Sequence, residues 1–105
     1  MSIKKMGSSN FRKKVFALTK EIPEGRVSTY KIIAEKMGTK AFRAVGSALN
    51  KNPSNKLPCH RVVCSDGKIG GYNKGQPKKR MLLRKEGIAE NNGKIVDFHN
   101  KLYRF

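Results

Sequence analysis

The chain has 105 residues, enough for one domain with a modest core, and no apolar run in it approaches the length of a membrane span. Lysine and arginine total 24 against 7 aspartate and glutamate residues, so the formal net charge is +17. Because so large an excess repels itself in the folded state, it indicates a polyanionic partner, and nucleic acid is the commonest one. A membrane surface is disfavoured, since the sequence has neither a basic amphipathic helix nor a lipidation signal.

The first residues are basic but have no apolar stretch of the kind found in secretion signals. We therefore expect a flexible tail over residues 1–9, a single domain over residues 10–105 and an intracellular location. The two cysteines, Cys59 and Cys64, are expected to be thiols, because a reducing compartment disfavours their disulfide. We also expect a monomer, since no segment resembles a dimerisation helix.

Helical spacing begins early in the chain. Phe11, Val15 and Leu18 recur at intervals of three and four residues, which predicts a helix over residues 10–20. After a turn, Ser28 is predicted to cap a second helix that ends near Met37.

Thr39 is predicted to cap a third helix, which ends near Lys51. One face of this helix is apolar and is expected to be buried: Ala41, Ala44, Val45, Ala48 and Leu49. The opposite face is polar and basic: Lys40, Arg43, Ser47 and Asn50. Two short helices joined by a tight turn at Gly38 favour a helix-turn-helix, whose second helix would present its polar face to a DNA groove.

The segment after this unit predicts shorter elements. Residues 52–58 contain two prolines and two asparagines and are expected to form a loop, and residues 61–64 a short strand. A tight turn over residues 65–68 would lead into a second short strand. Residues 70–75 are expected to form a flexible loop.

Pro77 is predicted to open the last helix, which ends near Glu86 with Gly87 as its stop. Six basic residues in and before this helix are expected to face phosphate groups or solvent: Lys74, Lys78, Lys79, Arg80, Arg84 and Lys85. Residues 94–98 would add a strand or pack along the surface. The expected fold class is α+β, a mostly helical, winged-helix-like domain with a helix-turn-helix and a small β element.

Cys59 and His60 lie between the proline-bounded loop and the predicted strand. A thiol is nucleophilic as its thiolate, and a neighbouring histidine or positive charge lowers its pKa. Adjacent His60 and Arg61 therefore make Cys59 a candidate nucleophile. Residue types alone leave two alternatives open, a buried structural cysteine and a zinc site. The potential zinc ligands are Cys59, His60, Cys64 and His99, although their spacing fits no familiar zinc pattern.

Residues 58–63, PCHRVV, resemble the active-site signature of the O6-alkylguanine-DNA alkyltransferases, also called methylated-DNA–protein-cysteine methyltransferases. Other segments resemble further parts of that family in the same order: residues 25–30, 43–48, 52–53, 67–72 and 82–87. The resemblance is to the catalytic and DNA-binding domain only. The N-terminal domain of many members has no counterpart here, and the loop before Cys59 is about one residue shorter than is usual in the family.

The resemblance implies catalytic roles for five residues. Cys59 matches the acceptor thiol, which takes the alkyl group from guanine O6 irreversibly and without a cofactor or metal. His60 matches the general base that acts on the thiol through water, and Glu86 the carboxylate that orients it, a relay similar to a hydrolase triad. Asn52 matches the residue that ties the recognition helix to the active-site loop. Tyr30 matches a tyrosine that contacts a phosphate and can protonate the leaving guanine, although its apolar helix face alone would predict a core aromatic.

The implied partner is double-stranded DNA that contains O6-alkylguanine, and the alkylated base must leave the duplex to be reached. Arg43 matches the arginine that takes the place of the flipped nucleotide. Tyr72 and Asn73 match the loop that closes over the flipped base, and we assign Val62 to the same base pocket. The other predicted DNA contacts are Tyr30, Ser47, Lys40, Asn50 and Arg61.

Two other functions stay open. Alkyltransferase-like damage sensors share the single-domain layout, bind alkylated DNA and recruit excision-repair proteins without transfer. They typically replace the acceptor cysteine, often with tryptophan, so the presence of Cys59 favours transfer. A small helix-turn-helix regulator with an incidental thiol would instead bind a specific operator sequence and would be expected to dimerise.

Overall fold

The computed structural model describes residues 8–52 and 56–105. The predicted tail and the predicted loop at 52–58 thus fall partly outside the described residues. The helices are α1 (Ser8–Glu21), α2 (Tyr30–Lys36), α3 (Phe42–Asn50), α4 (Gln76–Lys85) and α5 (Phe98–Lys101), and Cys59–Arg61 form a short 3₁₀ helix. The strands are β1 (Ser28–Thr29), β2 (Val62–Val63), β3 (Glu90–Asn91) and β4 (Lys94–Ile95).

The strands form two small sheets, and the predicted α+β class is confirmed. β1 lies parallel to β2, with Ser28 opposite Val62. The tight turn predicted at 65–68 is present, but the second short strand predicted after it does not form, and β2 pairs with a strand from the first third of the chain. The segment after the turn at 65–68 makes only an isolated bridge, from Lys68 to Lys94.

The second sheet is an antiparallel hairpin of β3 and β4. Its turn residues, Asn92 and Gly93, both have positive φ, which suits a two-residue hairpin turn of the mirror-image type. Residues 94–95 therefore add a strand, the first of the two possibilities left open for this segment.

The sheet of β1 and β2 separates two groups of core side chains. Because side chains alternate along a strand, neighbouring Val62 and Val63 point to opposite sides. Val62 packs with α1, α2 and α3, in the cluster that also contains Cys59. Val63 packs in a second cluster with residues of α4 and the hairpin, including Leu83 and Ile95. Cys59 is thus held by the same core that supports the helix pair α2–α3.

The pair α2–α3 has the layout of the predicted helix-turn-helix. Gly38, between the helices, adopts a φ of 78°, which a residue with a side chain rarely tolerates. On α3 the side chains of Val45, Ala48 and Leu49 are buried. Ala44, which was expected in the same buried face, is exposed. The polar face is exposed as predicted: Lys40, Arg43, Ser47 and Asn50.

The helix caps differ from those predicted. Thr29, not Ser28, caps α2, and its hydroxyl oxygen accepts a hydrogen bond of 2.9 Å from the Ile32 N–H. Ser28 lies within β1 instead. Thr39 does not cap α3, because its hydroxyl accepts from the Ala41 N–H, before the helix begins at Phe42.

The end of the chain is fastened to the segment before β1. The Val27 N–H donates to the Lys101 carbonyl oxygen at 2.9 Å, and the Tyr103 N–H donates to the Val27 carbonyl oxygen at 2.6 Å. Leu102 therefore forms a parallel bridge with Val27. Tyr103 and Phe105 stack edge to face and pack against the first core cluster.

Among the described residues, no helix combines the length and apolarity needed to cross a bilayer.

Replacing Thr29 with alanine is expected to lower the free energy of unfolding by about 1 kcal/mol, because the N-terminal turn of α2 loses its side-chain acceptor. Ser28→Ala is the matched control. The Ser28 hydroxyl is buried without a hydrogen-bond partner in the described structure, so its removal is expected to leave stability unchanged or slightly higher. Urea unfolding measures both variants. A larger loss for Ser28→Ala than for Thr29→Ala would restore Ser28 as the cap.

Candidate active site

Cys59 begins the 3₁₀ helix and is 7% exposed. Its sulfur accepts a hydrogen bond of 3.4 Å from the side-chain nitrogen of Asn52, which is itself 6% exposed. The Asn52 carbonyl oxygen accepts a second hydrogen bond of 3.1 Å, from the Asn73 side chain. Asn52 therefore joins three parts of the chain: the end of α3, the thiol and the loop that contains Tyr72.

The carboxylate of Glu86, at the end of α4, is the centre of a hydrogen-bond network. His60 Nε2 lies 2.6 Å from Glu86 Oε2. The Arg61 guanidinium donates to both carboxylate oxygens, at 2.9 and 3.0 Å for its shortest contacts. The Gly25 N–H donates to Oε1 at 3.2 Å. Burial alone would raise the pKa of Glu86, but the hydrogen bonds from Arg61, His60 and Gly25 outweigh it and lower the pKa.

This network fixes the tautomer of His60. An ionised carboxylate only accepts hydrogen bonds, so the proton on the neutral imidazole must lie on Nε2, which leaves Nδ1 as the acceptor. Burial lowers the pKa of His60, and the positive charges of Arg61 and Lys79 lower it further, against the opposing effect of Glu86. His60 is therefore a neutral base at neutral pH, with Nδ1 free to take a proton.

The thiol of Cys59 is not ionised by its surroundings. Burial raises the pKa of Cys59 above its ordinary value, while the Asn52 hydrogen bond and the charges of Lys79 and Lys74 act in the opposite direction without reversing it. The expectation that adjacent positive charge alone would lower this pKa is therefore wrong. Burial outweighs it, because removing the thiol from water disfavours its charged form. A protonated thiol beside a neutral histidine is the pairing that general-base activation requires.

Lys79 is the site residue that the sequence did not reveal. It was expected to face phosphate or solvent, but its side chain is fully buried. Its ammonium group donates to the carbonyl oxygens of Val62 at 2.7 Å and Gly71 at 2.9 Å. The one available signal is helical spacing, since Lys79 lies on the same face of α4 as buried Leu83 and partly buried Glu86.

The Lys79 ammonium is placed among the titratable groups of the site. It lies 5.8 Å from the centre of the Tyr30 ring, within the range of a cation–π contact. Burial lowers the pKa of Lys79 to about 8, and negative charge on Cys64 or Cys59 would raise it. The group is thus sensitive to whether either thiol is ionised.

Tyr30 is the first residue of α2 and lies between the core and the exposed face of α3. Burial raises the pKa of Tyr30 to about 12, and the charges of the two cysteines, when ionised, act in the same direction. The hydroxyl therefore stays protonated at neutral pH. The ring packs against α3 at Gly46, where a Cβ would lie 3.7 Å from it, an ordinary van der Waals distance, so this contact does not itself require glycine.

An open cleft of about 600 Å³ brings together most of the predicted DNA-contacting residues. Its walls include Tyr30, Arg43, Ser47 and Asn50, and Gly71 of the loop after β2. Lys40 is exposed just before α3 but is not part of these walls.

Three other residues predicted to contact the flipped base or the DNA lie in different surroundings: Tyr72, Val62 and Arg61. Tyr72 is half-buried in a second open cleft of about 620 Å³ that also contains His60, and its role in a base pocket stays a prediction. Val62 does not line a pocket, because its side chain is wholly buried in the core. The predicted DNA contact of Arg61 does not agree with its geometry, since its guanidinium is bonded to Glu86 and to the Ile22 carbonyl oxygen.

No group of three or more histidine, cysteine, aspartate or glutamate side chains within residues 8–52 and 56–105 is arranged to hold a metal ion. The four potential zinc ligands therefore do not form a centre. His60 is bonded to Glu86 instead, and both cysteines are free thiols.

The depressed pKa of Glu86 has a consequence for stability. Its ionisation stabilises the folded chain fully above the pKa of an unfolded glutamate, about 4.3, and that contribution is lost as the pH falls through the folded value. We expect acid unfolding to show this loss, and Glu86→Gln to be less stable at neutral pH with a weaker acid dependence. Glu35→Gln, which alters an exposed carboxylate, is the control. If the free energy of unfolding depended equally on pH in Glu86→Gln and in the parent chain, the hydrogen bonds of Glu86 would not account for acid unfolding.

Replacing Lys79 with methionine is expected to raise the pKa of Cys59, because the buried positive charge that favours the thiolate is removed. The rate of alkylation by iodoacetamide as a function of pH, in a Cys64→Ser background, reports that pKa. We expect several-fold slower alkylation near neutral pH. Lys78→Met removes the neighbouring exposed lysine and should leave the profile unchanged. Coincident profiles for the two variants would exclude an effect of Lys79 on the thiol.

Residues 10–88 match the family described as 6-O-methylguanine DNA methyltransferase, DNA binding domain. The methylated-DNA–protein-cysteine methyltransferase of Saccharolobus solfataricus is 52% identical over 79 residues, which are 74% of this chain and 51% of that protein. The chain thus spans about half the length of the curated relatives it matches.

Two solved structures are similar in fold. S. pombe Atl1, in complex with damaged DNA containing O6-carboxymethylguanine, has a TM-score of 0.79 and 30% identity, over 92% of this chain and 97% of Atl1. Mycobacterium tuberculosis OGT in complex with DNA has a TM-score of 0.70 and 39% identity, over 74% of this chain and 49% of OGT. With the matched residues spanning α1 to the end of α4, this chain belongs to the 6-O-methylguanine DNA methyltransferase family and contains its DNA-binding domain.

Proposed function

We propose that this protein repairs DNA by transferring the alkyl group of O6-alkylguanine irreversibly to its own Cys59. The observation that carries the proposal is the linked arrangement of Asn52, Cys59, His60 and Glu86, in which a buried thiol accepts from an amide and a neutral imidazole is oriented by a carboxylate. The curated relatives named methylated-DNA–protein-cysteine methyltransferase support the same reaction.

Each site residue has a separate role in a single nucleophilic displacement reaction. The sulfur of Cys59 attacks the alkyl carbon, the carbon–oxygen bond to guanine breaks, and the thiol proton passes through water to Nδ1 of His60. Glu86 stabilises the imidazolium that forms. Guanine leaves with the electron pair of the broken bond and takes a proton from Tyr30, so that it departs as a neutral base. Solvent returns the proton from His60 to Tyr30, and the stable thioether on Cys59 makes each molecule react once.

Duplex DNA is the proposed partner. The net charge of +17 and the exposed polar face of α3 suit binding to a phosphate backbone. Cys59 is buried, so a guanine within the stack could not reach it, and the base must be flipped out. Arg43 is exposed on α3 and lines the same cleft as Tyr30, which supports assigning it to the vacated position. The similar structures of Atl1 and OGT are complexes with DNA, which supports DNA as the partner.

A damage sensor that binds alkylated DNA and recruits excision-repair proteins is the second candidate. The observation that favours it is the similarity to Atl1, which extends over nearly the whole of both chains. The buried thiol, with its amide donor and its neighbouring histidine, favours transfer instead, because binding alone would need none of these groups.

Incubation with a duplex that contains O6-methylguanine is expected to raise the intact mass of the protein by one methyl group in place of a hydrogen. Cys59→Ala should show no gain and should still bind the duplex. Cys64→Ala, which removes the other thiol, should gain the methyl group as the parent chain does. No gain in the parent chain, with selective binding of the alkylated duplex, would make the protein a damage sensor. No gain and no selectivity would contradict both functions.

A further inference from the structure

The DNA-facing cleft contains an aromatic side chain to which neither the sequence motifs nor the mechanism gives a role. Phe42, the first residue of α3, is 48% exposed. It lies directly before Arg43 and lines the same cleft as Tyr30 and Ser47. Single exposed apolar residues are common on protein surfaces, so the position of Phe42, rather than its exposure alone, requires an explanation.

The position is distinctive in two respects. Among the described residues, the other large exposed apolar side chains are Met81, on α4, and Val96, after β4, and neither lines this cleft. Phe42 also lies one helical turn before the buried residue Val45, so its ring extends the apolar side of α3 beyond the core and into the cleft. The cleft thus combines an arginine and an unpartnered phenyl ring on adjacent residues.

Base flipping creates a need for such a ring. When a nucleotide leaves the stack, both neighbouring bases lose a stacking partner, and an apolar or aromatic side chain between base steps can replace part of what is lost. Arg43 can fill the gap, but its guanidinium is charged and keeps much of its hydration. A phenyl ring beside it provides the dry, polarisable surface on which a base stacks.

We propose that Phe42 is a second wedge residue, whose ring stacks on the base next to the flipped nucleotide while Arg43 occupies the gap. This inference rests on the base-flipping function proposed above. Because every base has a π-face, such a contact would support binding to any damaged sequence and would not select its neighbours.

The test compares Phe42→Ala with Phe42→Tyr, which keeps an aromatic face, and with Val96→Ala, which removes an equally exposed apolar side chain elsewhere. All three are made in a Cys59→Ala background so that binding is measured without transfer. The duplex contains O6-methylguanine with 2-aminopurine as the adjacent base, whose fluorescence is quenched by stacking. Affinity is taken from a titration and stacking from the fluorescence of the saturated complex.

We expect Phe42→Ala to weaken binding about tenfold and to leave the adjacent 2-aminopurine brighter in the complex, since the loss of one aromatic–base contact has an effect of this order. Phe42→Tyr should restore both quantities, and Val96→Ala should change neither. If Phe42→Ala changed neither the affinity nor the fluorescence, the proposal that Phe42 stacks on the adjacent base would be overturned.

Transfer assays separate this inference from the proposed function. With Cys59 intact, Phe42→Ala should still accept the alkyl group from a free O6-alkylguanine base, to which no stacking applies, and should react more slowly with the duplex. If the parent chain accepts no alkyl group from the duplex or from the free base, the proposed transfer fails, and the wedge is judged only by the affinity and fluorescence measured in the Cys59→Ala background. If the parent chain reacts and Phe42→Ala matches it on both substrates, only the wedge is overturned.

Discussion

The arrangement of the site depends on one carboxylate. Glu86 receives hydrogen bonds from the Gly25 backbone, His60 and Arg61, which are groups far from it in the chain. These bonds hold the end of α4 against the 3₁₀ helix and against the turn that precedes β1. A partly buried carboxylate with an incomplete set of donors would be unfavourable, because the penalty for removing charge from water would remain without compensation. The same bonds that orient His60, the proposed base, therefore also join α4 to the 3₁₀ helix and to the turn before β1.

Cys59 and His60 are both uncharged, although the protein around them is strongly basic. The pKa of Cys59 is raised and that of His60 is lowered by burial, so both groups are neutral near pH 7 although the chain carries +17. Because a neutral thiol is a weaker nucleophile than a thiolate, the raised pKa lowers the reactivity of the resting sulfur toward unrelated electrophiles. Lys79, buried among carbonyl oxygens, provides a fixed positive charge that favours the thiolate when it forms.

Much of this arrangement was predictable from the sequence, and the failures have a common cause. Periodicity and cap signals located α1 to α4, although not α5 or the 3₁₀ helix, and the PCHRVV motif pointed to the thiol and its histidine. Local patterns could not show that Arg61 turns inward to Glu86, or that β2 pairs with β1, since both depend on partners more than twenty residues away. Lys79 was misplaced because a lysine in a basic helix is most often solvated, and only the carbonyl oxygens of a distant loop and strand make its burial favourable. Both Ser28 and Thr29 lie in β1, but α2 begins only at Tyr30, so Thr29 is the residue next to the helix and its hydroxyl caps it.

The bridge between Val27 and Leu102 constrains the order in which the protein can fold during its synthesis. Leu102 follows Val27 by about 75 residues, so at typical translation rates of about 5–20 residues per second the strand that precedes α2 waits several seconds for its last partner. During that interval the backbone groups of Val27 and the apolar side of the first core cluster, later covered by Tyr103 and Phe105, are open to solvent and to other chains. The helix-turn-helix therefore cannot complete its core packing before residues 102–105 have been made.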